Sequence, residues 1–320
     1  MCLKKPMTNN PMTNNPAANN PITTPPAALD QRPLTGPYSG LTINSARRFI
    51  SKQFEQAGLA ACDGEARELL MAATGLSREE LITMGTELMT SESFDLLQQY
   101  AARRLAGEPV DNILGWREFY GRRFKVCPDV LSPRQETEEV VAKALEMIKS
   151  IDAPRIVDLG TGSGAIIAAL LLERPKAIGT AIDISEAALS IAASNAKTHK
   201  INERLTLLRS HWLTNLQGQF DLIISNPPYI DSNAMAQLSP EVINFDPAIS
   251  LHGGTDGLEA YRIIAAQAGA YLKPNGALVF EIGYDQGQSV PDILRRHNFK
   301  DINVFNDLAG LARIVTALRE

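Results

Sequence analysis

The sequence predicts an α/β protein in which a mostly parallel sheet, covered by helices on both faces, follows a small helical domain. Three observations predict it. From Pro154 onward, short apolar segments alternate with helical ones, and consecutive parallel strands need a crossover of that kind between them. The first of these strands runs into Gly160-Thr161-Gly162-Ser163-Gly164 and then straight into a helix, the junction at which open α/β sheets hold nucleotides. Between Leu41 and Gly107, apolar residues instead recur at helical spacing. A chain of 320 residues is long enough for two domains and a core of useful size.

Taken in order, residues 6–25 repeat Pro-x-x-Asn-Asn, as PMTNN, PMTNN and PAANN, before PITTP. Proline every fifth residue blocks both helix and central strand, and little apolar surface offsets the entropy of ordering, so residues 1–40 are expected to be a disordered tail. The helical domain is expected over 41–110. In it Asp63 precedes a helix over 65–74, with Leu69, Leu70 and Ala73 apolar and Gly75 as the stop. Ser77 and Glu80 form a capping-box pattern ahead of Leu81 and Ile82. A third helix carries Phe94, Leu97, Ala101 and Leu105 on one face and closes at Gly107, while Arg103 and Arg104 fall off that stripe and read as a solvated face. The string ILGWREFYGRRFKV, residues 113–126, suggests a β-hairpin turning at Gly121 within a linker over 111–130. Its Arg117, Arg122, Arg123 and Lys125 are either a soluble edge or a face for an anionic partner. In the remaining domain, 131–320, strands are expected over 156–159, 178–182, 205–208, 220–225 and 277–282, and helices over 165–173, 186–197 and 258–271.

Composition narrows the function. Apolar residues make up 44% and charged residues 21%, ordinary values for a globular protein. The formal charge of −5 argues against a protein that holds nucleic acid by covering phosphates with Lys and Arg. Cys2, Cys62 and Cys127 have no CxxC spacing and leave an odd one over, which suggests neither a disulfide framework nor a zinc site, so no metal is expected and a reducing, cytoplasmic compartment fits. No apolar run is long enough for a membrane span, and the N-terminus lacks a secretory pattern.

The residues just beyond the strands carry the chemistry. Glycines at 160, 162 and 164 let the backbone turn sharply and approach a ligand, and the following helix offers unpaired N–H groups. Asp183, at the end of the second strand and about 20 residues beyond the loop, suits the two ribose hydroxyls of a nucleotide or the cap of the helix starting near Ser185. Up to that point a nicotinamide dinucleotide and S-adenosylmethionine fit equally. The fourth strand separates them, because FDLIIS is followed at once by Asn226-Pro227-Pro228-Tyr229. Consecutive prolines supply carbonyls without N–H donors, and beside them stand an amide and an aromatic ring. Such a loop accepts from the NH2 of a planar amide or amine and packs a ring on its plane.

This NPPY string resembles the catalytic motif of S-adenosylmethionine methyltransferases that act on adenine or cytosine amines or on glutamine amides. The segments GEPVDNILGWREFYGRRFKV, LSPRQETE, VDLGTGSGA, SNPPYI, FDPAISLHGGTDGLEAYR and FEIGYDQG stand in the order seen in the release-factor glutamine methyltransferases, the HemK or PrmC family, from about Leu41 to the end. The resemblance implies a class I methyltransferase fold, a Rossmann-like sheet of seven strands with the last antiparallel, after a helical substrate-recognition domain. It implies S-adenosyl-L-methionine held by Gly160, Thr161, Gly162, Ser163 and Gly164, with Asp183 at the ribose, Trp212 near the adenine and Asn226 beside the cofactor. Asn226, Pro227, Pro228 and Tyr229 would hold the substrate glutamine, with Asn226, Pro227 and Tyr229 catalytic. The implied reaction is N5-methylation of the glutamine in the Gly-Gly-Gln motif of peptide-chain release factors, with neither stable nucleic-acid binding nor a membrane involved. The alternatives are a glutamine methyltransferase of a large-subunit ribosomal protein, which RQETE resembles less, and a nucleic-acid adenine N6-methyltransferase, against which the acidic charge counts. Three positions depart from the family pattern: His211 replaces an aspartate before Trp212, and Ser132 and Gln135 replace an isoleucine and a proline, while Arg134, Glu136 and Glu138 are kept.

Overall fold

A computed structural model describes residues 40–320, so the tail expected to be disordered lies outside the described residues. Helices α1 (Ile43–Gln56), α2 (Cys62–Thr74), α3 (Arg78–Thr83), α4 (Ser91–Leu105) and α5 (Val110–Leu114) form the first region. Side chains cap three of them: Thr42 accepts from Ser45 N, Thr90 accepts from Ser93 N, and Ser77 and Glu80 close the reciprocal capping box. Helix α2 starts earlier than expected, because Ala61 turns the chain with φ +53° and leaves Asp63 inside the first turn, where its charge suits the helix N-terminus. The inward stripes bury Ile50, Phe54, Leu69, Leu70, Leu97 and Ala101 in one cluster.

The reading of Arg104 as solvated is corrected. It is 4% exposed. Its guanidinium forks onto Glu65 of α2 at 2.8 and 3.0 Å and reaches Glu241, far along the chain, at 2.9 Å. A buried cation persists only where carboxylates replace its water, and these two do. Arg103 does remain exposed, paired with Glu108.

The hairpin is shorter than its sequence suggests, since Ile113 and Leu114 belong to α5. Strands β1 (Trp116–Phe119) and β2 (Arg122–Lys125) pair antiparallel across Tyr120 and Gly121, whose φ values of +50° and +70° suit a tight hairpin turn. Phe119 and Phe124 are fully buried against the main sheet's core. Arg117 pairs with Asp111, Arg122 with Glu173, and Arg123 lies over the Trp116 ring at 4.0 Å.

The main sheet contains β3 (Arg155–Leu159), β4 (Ile178–Asp183), β5 (Leu205–Arg209), β6 (Phe220–Ser225), β7 (Leu272–Glu281), β8 (Phe299–Asn306) and β9 (Ala312–Arg319) in the order β5-β4-β3-β6-β7-β9-β8. β3 to β7 are parallel, and β9 runs antiparallel to both of its neighbours. The helices are α6 (Thr137–Met147), α7 (Ala165–Glu173), α8 (Glu186–Thr198), α9 (Ser232–Met235), α10 (Pro240–Phe245), α11 (Glu259–Tyr271) and α12 (Ser289–Arg296). Because strand side chains alternate, Leu222 and Ile224 of β6 join one core cluster with α6 and α7, whereas Ile223 joins the other with α11 and α12. The strand order reverses between β3 and β6, so a crevice opens beyond the carboxyl ends of those two strands.

Candidate active site

The loop after β3 is shaped by its own backbone. Gly160, Gly162 and Gly164 have φ of +68°, +54° and +78°, a conformation L side chains resist. At Gly164 a Cβ would also meet Ala192 Cβ at 3.1 Å, so the residue lets α7 approach α8. Thr161 N donates to Ile182 O and Gly162 N to Asp183 Oδ2, each at 2.9 Å, while Ser185 N donates to Asp183 Oδ1 at 2.9 Å. Asp183 is thereby tied to the glycine loop, and the cap of α8 is Ser185, which accepts from Ala188 N. Asn195 of α8 donates to Ser163 O at 2.8 Å and exchanges hydrogen bonds with the Lys125 backbone, which fastens the loop to the hairpin.

These elements line a cavity of about 320 Å³ whose wall includes Gly160, Thr161, Gly162, Ser163, Asp183, Trp212, Asn226 and Pro228. Trp212 is half-buried with φ +51°, and a Cβ on Gly160 would lie 3.6 Å from its ring. His211 is exposed on the same wall. Behind the loop, Asp158 is fully buried. Thr161 Oγ1 donates to its Oδ2 at 2.6 Å, whereas Oδ1 has no hydrogen-bond partner. Burial pushes this carboxyl up to about 7, against the pull of the Thr161 hydroxyl. On the cavity wall itself, the glycine cradle and the Asp183 carboxylate suit a ligand carrying ribose hydroxyls.

A second cavity of about 170 Å³ is lined by Asn226, Tyr229, Arg134, Asp246 and Glu281 among others, so Asn226 belongs to both walls. Pro227 is buried, and neither Pro227 nor Gly164 belongs to either wall. Other segments hold the Asn226–Tyr229 loop in place. Ile230 N donates to Leu251 O at 2.9 Å and Gly253 N to Ile230 O at 2.8 Å. Gln286 Nε2 donates to Tyr229 O at 3.1 Å and to Gly257 O at 3.0 Å. A Cβ on Gly257, where φ is +71°, would fall 2.3 Å from Tyr229 O. Burial, with Glu281 adding to it, pushes the Tyr229 hydroxyl up, so the ring meets a ligand uncharged.

Sequence reasoning gave no role to Glu281, Thr137, Asp158, Asn195 or Gln286. Two of these had a signal, since Asp158 and Glu281 are carboxylates at the carboxyl ends of apolar strands. The departures at 132 and 211 also find their places: Ser132 Oγ donates to Asp111 Oδ2 at 2.6 Å, and His211 stands edge-on to Trp212 with ring centres 6.1 Å apart. Of the kept residues, Arg134 pairs with Asp246 and Glu138 accepts from Tyr120 N at 2.8 Å.

Residues 136–245 match the family described as methyltransferase small domain, and residues 45–115 match the PrmC N-terminal domain. A release factor glutamine methyltransferase of Bradyrhizobium diazoefficiens is 42% identical over 288 residues, 89% of this chain and 97% of that one. Proteins of the same name from Agrobacterium fabrum, at 40% identity with 87% of this chain and 98% of that one covered, and from Neisseria gonorrhoeae, at 42% with 78% and 91% covered, are also similar. Among solved structures, the catalytic domain of hMettl16 in complex with a MAT2A 3'UTR hairpin shares the fold, with a TM-score of 0.53 at 15% identity over 68% of this chain and 81% of that one.

Proposed function

The chain belongs to the release factor glutamine methyltransferase family, and on that premise we propose that it transfers a methyl group from S-adenosyl-L-methionine to the side-chain nitrogen of the glutamine in the Gly-Gly-Gln loop of peptide-chain release factors. The observation that carries this reading is the position of Asn226, in the wall shared by a nucleotide-sized cavity and a smaller one.

The larger cavity's residues suit the cofactor, with Gly160 to Ser163 toward its methionine end, Asp183 for the ribose and Trp212 for the adenine, while Gly164 shapes the loop from behind. When bound there, the cofactor supplies an electrophilic methyl on a sulfonium. The glutamine amide nitrogen is a poor nucleophile because its lone pair is delocalised into the carbonyl. Asn226 Oδ1 and the Pro227 carbonyl would each accept one hydrogen of the NH2, which aims the nitrogen and favours the positive charge that develops on it. Tyr229 would pack on the amide plane, and Pro228 would complete the wall. Positioning of this kind supplies on the order of 7–11 kcal/mol at near-attack geometry, so no strong base is required before transfer. The amide nitrogen would take up that methyl through its lone pair, the electrons of the methyl's former bond leaving with the demethylated cofactor, and one amide proton would pass to solvent.

A small cavity recognises one amide but cannot tell one protein's glutamine from another's. We therefore assign substrate recognition to residues 41–110, the link to the hairpin of 111–130 and catalysis to 131–320. An acceptor protein of the translation machinery places the reaction in the cytoplasm, and among the described residues no helix is long and apolar enough to cross a membrane. Incubation with radiolabelled S-adenosylmethionine and extract from a strain lacking this protein tests the reading: a labelled band of release-factor size is expected, and label confined to a ribosomal protein or to nucleic acid would overturn it.

A further inference from the structure

Asn226 carries a two-sided amide, and its own backbone does not decide which side faces the cavities. Oδ1 accepts and Nδ2 donates, so a half-turn about χ2 would set NH2 against the NH2 of the substrate. The structure supplies a chain that breaks this symmetry. Asn226 Nδ2 donates to Thr137 Oγ1 at 3.4 Å, and that hydroxyl donates to Glu281 Oε2 at 2.6 Å. A hydroxyl has one proton. With that proton directed at Glu281, Thr137 can only accept from Asn226, which turns Oδ1 the other way. We propose that Glu281, acting through Thr137, is a positioning residue that sets the Asn226 amide with its acceptor toward the substrate nitrogen, an inference that rests on the glutamine-methyltransferase reading above.

The surroundings of Glu281 support it. At the end of β7, beside the strand that delivers Asn226, its side chain is 3% exposed. Burial pushes its carboxyl up to about 7; the Thr137 hydroxyl and Arg313 of β9 pull it down, Glu136 pushes it up, and Asn226 pulls it down. Tyr229 also faces it, and the Tyr261 hydroxyl of α11 donates to the Glu281 backbone carbonyl at 2.9 Å. Since the folded value is raised, ionisation weakens the fold as pH climbs from the ordinary carboxylate range to about 7. The charge is thus a cost to stability. Protonation would reverse the chain, because a neutral Glu281 can donate to Thr137, whose own proton is then free to seek Asn226 Oδ1.

The test is a pH profile of kcat/KM and kcat on an intact release factor, with cofactor affinity measured by calorimetry. For the unaltered protein, kcat/KM should rise with pH through a limb near 7, as Glu281 ionises. Glu281→Gln should lower kcat on the order of tenfold, flatten that limb, change cofactor affinity by no more than about twofold, and melt no lower than the unaltered protein above pH 7. Thr137→Val should lose turnover to a similar extent, and Thr137→Ser, which keeps the hydroxyl, should recover most of it; this pair decides the matter if the Gln variant does not fold. Undiminished kcat or an unchanged limb in Glu281→Gln, or equal kcat in the two Thr137 variants, overturns the proposal. Failure of the unaltered protein to methylate any release factor would instead defeat the glutamine reading.

Discussion

The glycine loop and the Asn226 loop follow neighbouring parallel strands, yet the first is shaped by its own backbone and the second by side chains that arrive from far along the chain. Gly160 to Gly164 turn through positive φ and bond to Ile182 and Asp183 on the adjacent strand. Asn226 depends on Thr137, 89 residues earlier, which depends in turn on Glu281, 144 residues beyond it. The cofactor half sets the course of its glycine loop by backbone geometry, with the Asp183 and Trp212 side chains added on the same wall. The substrate half has to present one acceptor in one orientation, and only side chains can specify that.

Variants in each half should therefore fail differently. The largest effect is expected from Asn226→Ala, which removes the acceptor: kcat should fall at least about 100-fold, while calorimetry should find cofactor affinity only modestly changed. Full turnover in this variant would end the distinction between the halves. Gly257→Ala comes next, because its φ of +71° and a Cβ 2.3 Å from Tyr229 O strain the loop. A loss of about 2 kcal/mol in denaturant unfolding, together with reduced turnover, is expected, and an unperturbed variant would show that the packing around Tyr229 yields. Asp183→Ala should do the reverse of Asn226→Ala, weakening cofactor affinity about tenfold and leaving kcat at saturating cofactor much less affected. A greater loss in kcat than in affinity would place Asp183 in the wrong half. The smallest effect is expected from removing residues 1–38, because the segment carries none of the residues assigned to either half; a lower Tm or turnover would show that the segment docks.

The same contrast explains how much was legible. Strand β6 over 220–225 and helix α7 over 165–173 were expected with the bounds they have, because apolar runs ended at an Asn-Pro pair or began at a glycine. The glycine loop was legible for a similar reason, since positive φ is written in sequence as glycine. Helix α6 was not identified. Its opening Thr-Glu closes LSPRQETE, which read as a motif instead of a helix start. Arg104 read as solvated because helical spacing shows which stripe faces the helix's own bundle, not that Glu241 would arrive from a distant segment. Glu281 stands at the carboxyl end of an apolar strand, but its link to Thr137 is not legible because a hydrogen bond spanning 144 positions leaves no local pattern. The strings HGGTDGLEAYR and YDQG entered only through resemblance. Their part became legible when Gly257 and Gln286 were found closing around the Tyr229 carbonyl.

The most direct measurement is mass spectrometry of a purified, unmethylated release factor after incubation with this protein and S-adenosylmethionine, with Asn226→Ala run in parallel. One methyl group is expected on the side-chain nitrogen of the Gly-Gly-Gln glutamine, in preference to a short peptide of the same loop, and almost none with the variant. A release factor left untouched while a ribosomal protein or DNA is efficiently methylated would contradict this expectation.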